Sequence, residues 1–386
     1  MIAESILKEL IEIRRHLHQT PELGYDEYNT SEYICKQLDK IGVKYRKGIA
    51  KTGVIAELDK GSGSCVALRA DMDALPVQEE TNLEFASINP GIMHACGHDL
   101  HITMLLGACR ILKDTDFTGK IKFIFQPSEE GVNGDPENKS GGQHIVESGV
   151  LNDVSFALAL HVHPDMAAGT LGYTQETALA YVNDFRINVH GKAGHAGAAP
   201  HLSTDAILIA CNLVQNLHTI VSRNISPTKA AVVSVTKING GNAPNIIADL
   251  VEITGTVRSL DLKDYNIIMD RFSAIIEGVS KAFGARIELK TAQFYPSLIN
   301  DSEIINILIP VAQEVFSGGF LKIDPLLGGE DFAFYSRKVP SAFFFIGAKD
   351  VKDPPNFLHH PKVKFNEDCL PLGAEFLAKA ALKLIK

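Results

Sequence analysis

Apolar residues at Ile6, Leu7, Leu10, Ile11 and Ile13, spaced by Glu, Lys and Arg, predict an amphipathic surface helix near the start of the chain. Further along, short runs rich in β-branched and aromatic residues ("GVIAEL", "CVALRAD", "KIKFIFQP", "SFALALHVHP" and later "SAFFFIGA") alternate with helical patterns. That alternation implies an α/β domain on a mostly parallel, buried sheet. Between the second and third runs, Leu100, Met104, Leu105, Ala108, Ile111 and Leu112 have helical spacing, with Asp99 placed as the N-cap.

The pattern changes near residue 181. From there the order is strand, helix, strand, strand, helix, strand, which is the ferredoxin-like α+β order and forms a compact unit of its own. "SAFFFIGA" and the helix "LPLGAEFLAKAALKLI" then return to the first domain. The expected division is a domain over 1–180 and 296–386 with an inserted domain over 181–295. The polar stretch "GVNGDPENKSGG" is expected to be a mobile surface loop.

Composition narrows the partners. Lys and Arg number 37 against 46 Asp and Glu, a net charge of −9, which gives no general attraction to nucleic acid or an anionic membrane. No uninterrupted apolar run approaches the roughly 20 residues that span a bilayer. The six cysteines, at 35, 65, 96, 109, 211 and 369, lack paired spacing, which fits reduced thiols in a cytoplasm.

The candidate chemistry lies at strand ends, where open α/β sheets bind ligands. "CVALRAD" finishes at Asp71 with Asp73 just beyond; "KIKFIFQP" leads into Glu129 and Glu130; "SFALAL" ends at His161 and His163; the loop after "SAFFFIGA" carries His359 and His360. "HACGHDLH", residues 94–101, adds Cys96 and His98 at the entry to a helix. A lone His or Cys is usually structural, but this many polar groups converging on one crevice would be costly without a metal. His and Cys donors suit Zn, Ni or Co, and the carboxylates leave Mn open. Within the Glu pair, one member can bind metal while the other takes a proton from the attacking water. A thiol hydrolase with Cys96 as nucleophile, or a non-catalytic metal- or ligand-binding protein, are the competing readings.

"RRHLHQTPELGYDEYNTSEYI", "LRADMDALPVQE", "HACGHDLH", "QPSEEG", "LHVHP", "GKAGHAGAAPHLSTDAI", "GGNAPNIIADLVEITGTVRSLD", "GGEDFAFY" and "LHHPKVKFNED" together resemble the amidohydrolase branch of the aminoacylase and carboxypeptidase family of metallopeptidases. The resemblance implies a zinc-peptidase-like catalytic domain with an inserted lid and dimerisation domain. It makes Cys96, His98, Glu130, His161 and His359 the ligands of two divalent transition-metal ions, zinc first among Zn, Ni, Co and Mn. It makes Glu129 the general base and Asp73 a residue that orients a ligand. Asp71 stands where the wider family has a His ligand, and His163 and His360 are second choices within their doublets. His195 is implied as an oxyanion donor offered across a homodimer, with Asn245 and Arg258 on the substrate carboxylate. His16, His18 and Glu22 read as structural residues of a surface helix and its end. The implied reaction is hydrolysis of the amide of a small N-acyl amino acid, with a dipeptidase or carboxypeptidase as the nearest alternative.

Overall fold

The computed structural model describes residues 6–132, 134–317, 319–350 and 356–385, the side chains of 292–294 excepted. The chain divides into two compact units, one of Met1–Ala178, Ile299–Asp324 and Glu330–Lys386, the other of Leu179–Leu298 and Pro325–Gly329. The short return Pro325–Gly329 joins the second unit, where a sequence division at 296 assigns it to the first: Ala180 donates to the Gly328 carbonyl, and a side chain at Gly329 would strike Val182.

In the first unit eight strands form one sheet, in the order Lys44–Ile49, Gly53–Asp59, Lys120–Gln126, Cys65–Asp71, Phe156–Ala167, Ser341–Lys349, Leu171–Tyr173, Phe320–Lys322. The four central strands, from Lys120–Gln126 to Ser341–Lys349, run parallel, so their carboxyl ends open on one side. Cys65–Asp71 is buried at every position, as a central strand covered on both faces must be. Helix His98–Lys113 packs against Cys369–Leu384, Leu7–Gln19 and Tyr28–Ile41 over the sheet. Glycines permit the close approach of the first pair: a Cβ on Gly107 would lie 2.8 Å from that of Ala374, and one on Gly373 would strike Met104.

Two expectations about helices need correction. Asp99 is not the N-cap of helix His98–Lys113; the cap is Gly97, in the left-handed region at φ 84°, with no side-chain cap. The Asp99 carboxylate is buried and meets Arg14 Nε at 2.9 Å and His18 Nδ1 at 2.8 Å. The first helix is correspondingly not a plain surface helix, because Arg14 and His18 lie with Leu10, Ile13 and Leu17 on its buried face. A buried cation needs an anion, and Asp99 satisfies that demand in place of the helix end.

The second unit is a four-stranded antiparallel sheet in the order Ala231–Gly240, Leu250–Ser259, Tyr181–His190, Arg286–Tyr295, the ferredoxin-like arrangement. Helices Ala206–Leu217 and Leu262–Phe283 share one core with it, built from Ile187, Val189, Leu213, Ile253 and Phe272 among others. Asp205 and Asp261 cap these helices through backbone N–H groups two and three residues on.

The stretch read as a mobile loop is more organised than its composition suggests. Ser140 caps helix Gly141–Glu147, and Asp135 accepts from the backbone N–H of Glu137 and Lys139. Asn133, within that stretch, lies outside the described residues.

Candidate metal centre

Parallel strands bring Asp71, Asp73, Glu129 and Glu130 to one edge of the sheet, while His161 projects from within Phe156–Ala167. Cys96 and His98 reach the same place because Gly97 separates them. A Cβ on Gly97 would lie 2.4 Å from Val162 and 3.2 Å from Phe365, so only glycine lets this turn lie against the His161 strand. Cys96 Sγ then sits 3.4 Å from His161 Nε2. His359, also in a left-handed backbone conformation (φ 68°), donates its N–H to the Ala95 carbonyl and places Nε2 3.2 Å from Glu130 Oε1. Its neighbour His360 turns away and accepts from the Lys362 N–H.

The ring hydrogen bonds decide which nitrogens face inward. His98 Nδ1 lies 2.8 Å from the Asp73 carbonyl, and His161 Nδ1 lies 2.8 Å from the Val162 carbonyl. Both carbonyls require a donor, so each neutral ring carries its proton on Nδ1 and points an Nε2 lone pair at the crevice. His98 Nε2 is buried with no hydrogen-bond partner among the described residues. Donor atoms of Cys96, His98 and His161 all lie within 4.8 Å of one another, as do those of Cys96, Glu130 and His359. Two three-donor sets sharing one sulfur fit a pair of transition-metal ions.

The electrostatics favour a cation at the same spot. Burial works against a charge on His98, but Asp71, Asp73 and Glu130 outweigh it and push the imidazole up to about 10. Burial, with the charges of Glu130 and Glu129, drives the Cys96 thiol well above its usual value, a cost that a bound divalent ion reverses. The glutamate pair splits. Burial pushes Glu129 well above the normal carboxylate range, with Glu330, Glu130 and Asp331 adding to it. Glu130 is only partly buried, and His359 and His98 hold it low against the cost of that burial. One glutamate is thus suited to carry a proton and the other to remain an anion.

A family model described as Peptidase family M20/M25/M40 matches residues 67–383. The chain belongs to that family. It is 40% identical to an N-acetyl-L-cysteine deacetylase of Bacillus subtilis, over 98% of this chain and 88% of the relative. It is 37% identical to thermostable carboxypeptidase 1 of Saccharolobus solfataricus, over 97% of this chain and 95% of the relative. Among solved structures, a dinuclear metal binding peptidase of the M20 family from Bacillus subtilis superposes with a TM-score of 0.85 at 32% identity, covering 99% of both chains. This M20 chain is therefore a metal-dependent hydrolase acting on amide bonds.

In the M20 enzyme, Asp71 occupies the strand-end position without being free to act as an isolated ligand. Its Oδ1 meets His101 Nδ1 at 2.6 Å and its Oδ2 meets Arg69 Nη1 at 2.7 Å. His101 in turn accepts the Val162 N–H at Nε2, so it supports the His161 strand. Arg69 also holds Glu330 and Asp331, all buried. Arg69, His101, Glu330 and Asp331 escaped the sequence reading. An arginine inside a strand otherwise suited to full burial was the available signal, because it demands buried acidic partners.

The other expected site residues lie in the second unit. His195 is exposed, in a two-residue strand paired with Ile246–Ile247, and its Nδ1 accepts the N–H groups of Gly197 and Ala198, each at 3.2 Å. Two donors at Nδ1 leave the neutral ring's proton on Nε2. Asn245 is exposed, its carbonyl accepting the Ala196 N–H. Arg258 is half-buried, donating to Thr256 Oγ1 and to the Val257 carbonyl.

Among the described residues no helix is long and apolar enough to cross a membrane.

Proposed function

We propose that this M20-family enzyme hydrolyses the amide bond of N-acyl amino acids, releasing a carboxylic acid and a free amino acid. The observation that carries the reading is the adjacent Glu129 and Glu130 beside two converging sets of Cys, His and carboxylate donors. Cys96, His98, Glu130, His161 and His359 are the metal ligands in this account, and zinc is the first candidate for two ions per chain. When bound, such ions supply Lewis acidity to an acyl carbonyl and make water nucleophilic at neutral pH.

The residues divide the remaining work. Glu129 removes the proton of the attacking water and delivers it to the leaving amine. Asp73 orients two partners at once, through its carbonyl on His98 Nδ1 and its Oδ2 on the Glu130 N–H at 2.9 Å. His195 offers its Nε2 proton to the developing oxyanion from a second copy of the chain, in a homodimer. Asn245 and Arg258 bind the substrate carboxylate. The absence of paired cysteine spacing supports a cytoplasmic setting.

The similarity to a deacetylase of N-acetyl-L-cysteine supports deacylation, while that to a carboxypeptidase supports a second reading, cleavage of dipeptides at the same centre. A panel of N-acetyl and N-benzoyl amino acids beside dipeptides decides between them. The proposal expects the acyl amino acids to give the higher kcat/KM. Dipeptides turning over faster throughout the panel would transfer the assignment to the second reading.

A further inference from the structure

The turn that presents Glu129 and Glu130 is not self-supporting. Ser128 has φ 47°, in the left-handed region that an L residue adopts at a cost and that persists where the surroundings enforce it. Its backbone N–H donates to Glu27 Oε1 at 2.8 Å, and the Glu130 N–H donates to Asp73 Oδ2 at 2.9 Å. Two carboxylates from distant segments therefore hold the N–H groups on either side of Glu129. The Ser128 carbonyl accepts from Gly141, and its hydroxyl donates to the Gly131 carbonyl.

Glu27 is not engaged in capping its own helix. It precedes helix Tyr28–Ile41 but makes no side-chain cap; Glu22 does that work, accepting the N–H groups of Asn29 and Thr30. Glu27 is instead fully buried, with Oε2 receiving the Thr52 hydroxyl at 2.6 Å. Burying a carboxyl is costly, and capping the helix does not explain it.

We propose that Glu27 is a positioning residue for Glu129: its carboxyl group, steered by Thr52, fixes the left-handed turn at Ser128 so that the two adjacent glutamates point to different tasks. The inference rests on Glu129 being the base. Glutamine keeps the size of the carboxyl group and an acceptor oxygen for the Ser128 N–H, so it is the close substitute.

The test compares Glu27→Gln, Glu27→Leu and Thr52→Val in the full-length, metal-loaded enzyme. Glu27→Gln retains an acceptor for the Ser128 N–H and should keep kcat within a few-fold. Glu27→Leu removes it and should lower kcat by roughly 100-fold, the scale of an ångström-level misplacement, with KM and metal content little changed. Amide exchange at 128 and 130 should accelerate in Glu27→Leu and stay protected in Glu27→Gln. A Glu27→Leu enzyme that melts earlier but keeps its kcat overturns the proposal, as does Glu27→Gln behaving like Glu27→Leu. If the leucine variant does not fold, Thr52→Val carries the test: kcat should fall and exchange at 128 should rise, and no change in either overturns the idea. Exchange is read without turnover, so a fully active Glu129→Gln would remove the base assignment while leaving the positioning of the turn separately measured.

Discussion

His98, His161 and Glu129 in the first unit are each less than 10% exposed, and both rings are locked by a partner on the far nitrogen. His195 in the second unit stands on a two-residue strand with its ring exposed, and its Nδ1 meets the N–H groups of Gly197 and Ala198 in its own turn. The first group is organised before any ligand arrives, and its arrangement alone reveals what it can bind. The second group is organised only locally, so its chemistry depends on what is brought to it. Preorganised donors suit ion binding and proton transfer, while an exposed donor suits a group that engages a substrate late.

That contrast predicts the sharpest loss from removing metal. Protein purified without chelator should contain up to two transition-metal ions per chain by elemental analysis, fewer in Cys96→Ala, and chelation should abolish activity until metal is restored. A metal-free preparation with full activity would instead favour Cys96 as a thiol nucleophile.

Next in size, His195→Ala should reduce turnover by roughly 10²-fold to 10³-fold with metal content unchanged. Mixing His195→Ala with Glu129→Gln and allowing subunits to exchange sharpens the comparison. A mixed dimer has one site with both groups intact, so up to half of the wild-type activity per dimer should return. A mixture that exchanges and stays inactive would return His195 to its own chain's site.

Arg69→Met probes the buried side of the comparison. Leaving Glu330 and Asp331 without their cation should cost about 3–5 kcal/mol, measured as a lower urea midpoint. An unchanged midpoint would mean that these carboxyls are neutral and need no partner; burial already pushes Glu330 up to about 8. The smallest effects belong to Asn245→Ala and Arg258→Ala, which should raise KM for acyl amino acids more than they lower kcat. Equal effects on an amide substrate lacking the carboxylate would remove both from carboxylate binding.

The alternation of strand and helix patterns made the sheet legible, because fully buried strands such as Cys65–Asp71 leave continuous apolar runs. Polar residues that stand out against those runs made Glu129, Glu130 and His161 legible as candidates, although His161 lies inside Phe156–Ala167, a strand that continues past the expected end at Leu160. Asp99 was misread because local capping rules know nothing of a helix 80 or more residues earlier in the chain that brings Arg14 and His18 against it. Glu27 and His101 escaped for the same reason: their partners, Ser128 and Asp71, are adjacent only in the folded chain.

The most direct measurement places Glu129→Gln beside Glu130→Gln, with metal content and turnover of an N-acetyl amino acid recorded for each. Divided duties predict that Glu129→Gln keeps its metal and loses roughly 10²-fold or more in kcat, the range of general acid–base catalysis, while Glu130→Gln loses metal. A Glu129→Gln enzyme that stays active, beside a Glu130→Gln enzyme that is inactive with its metal still bound, would contradict the account.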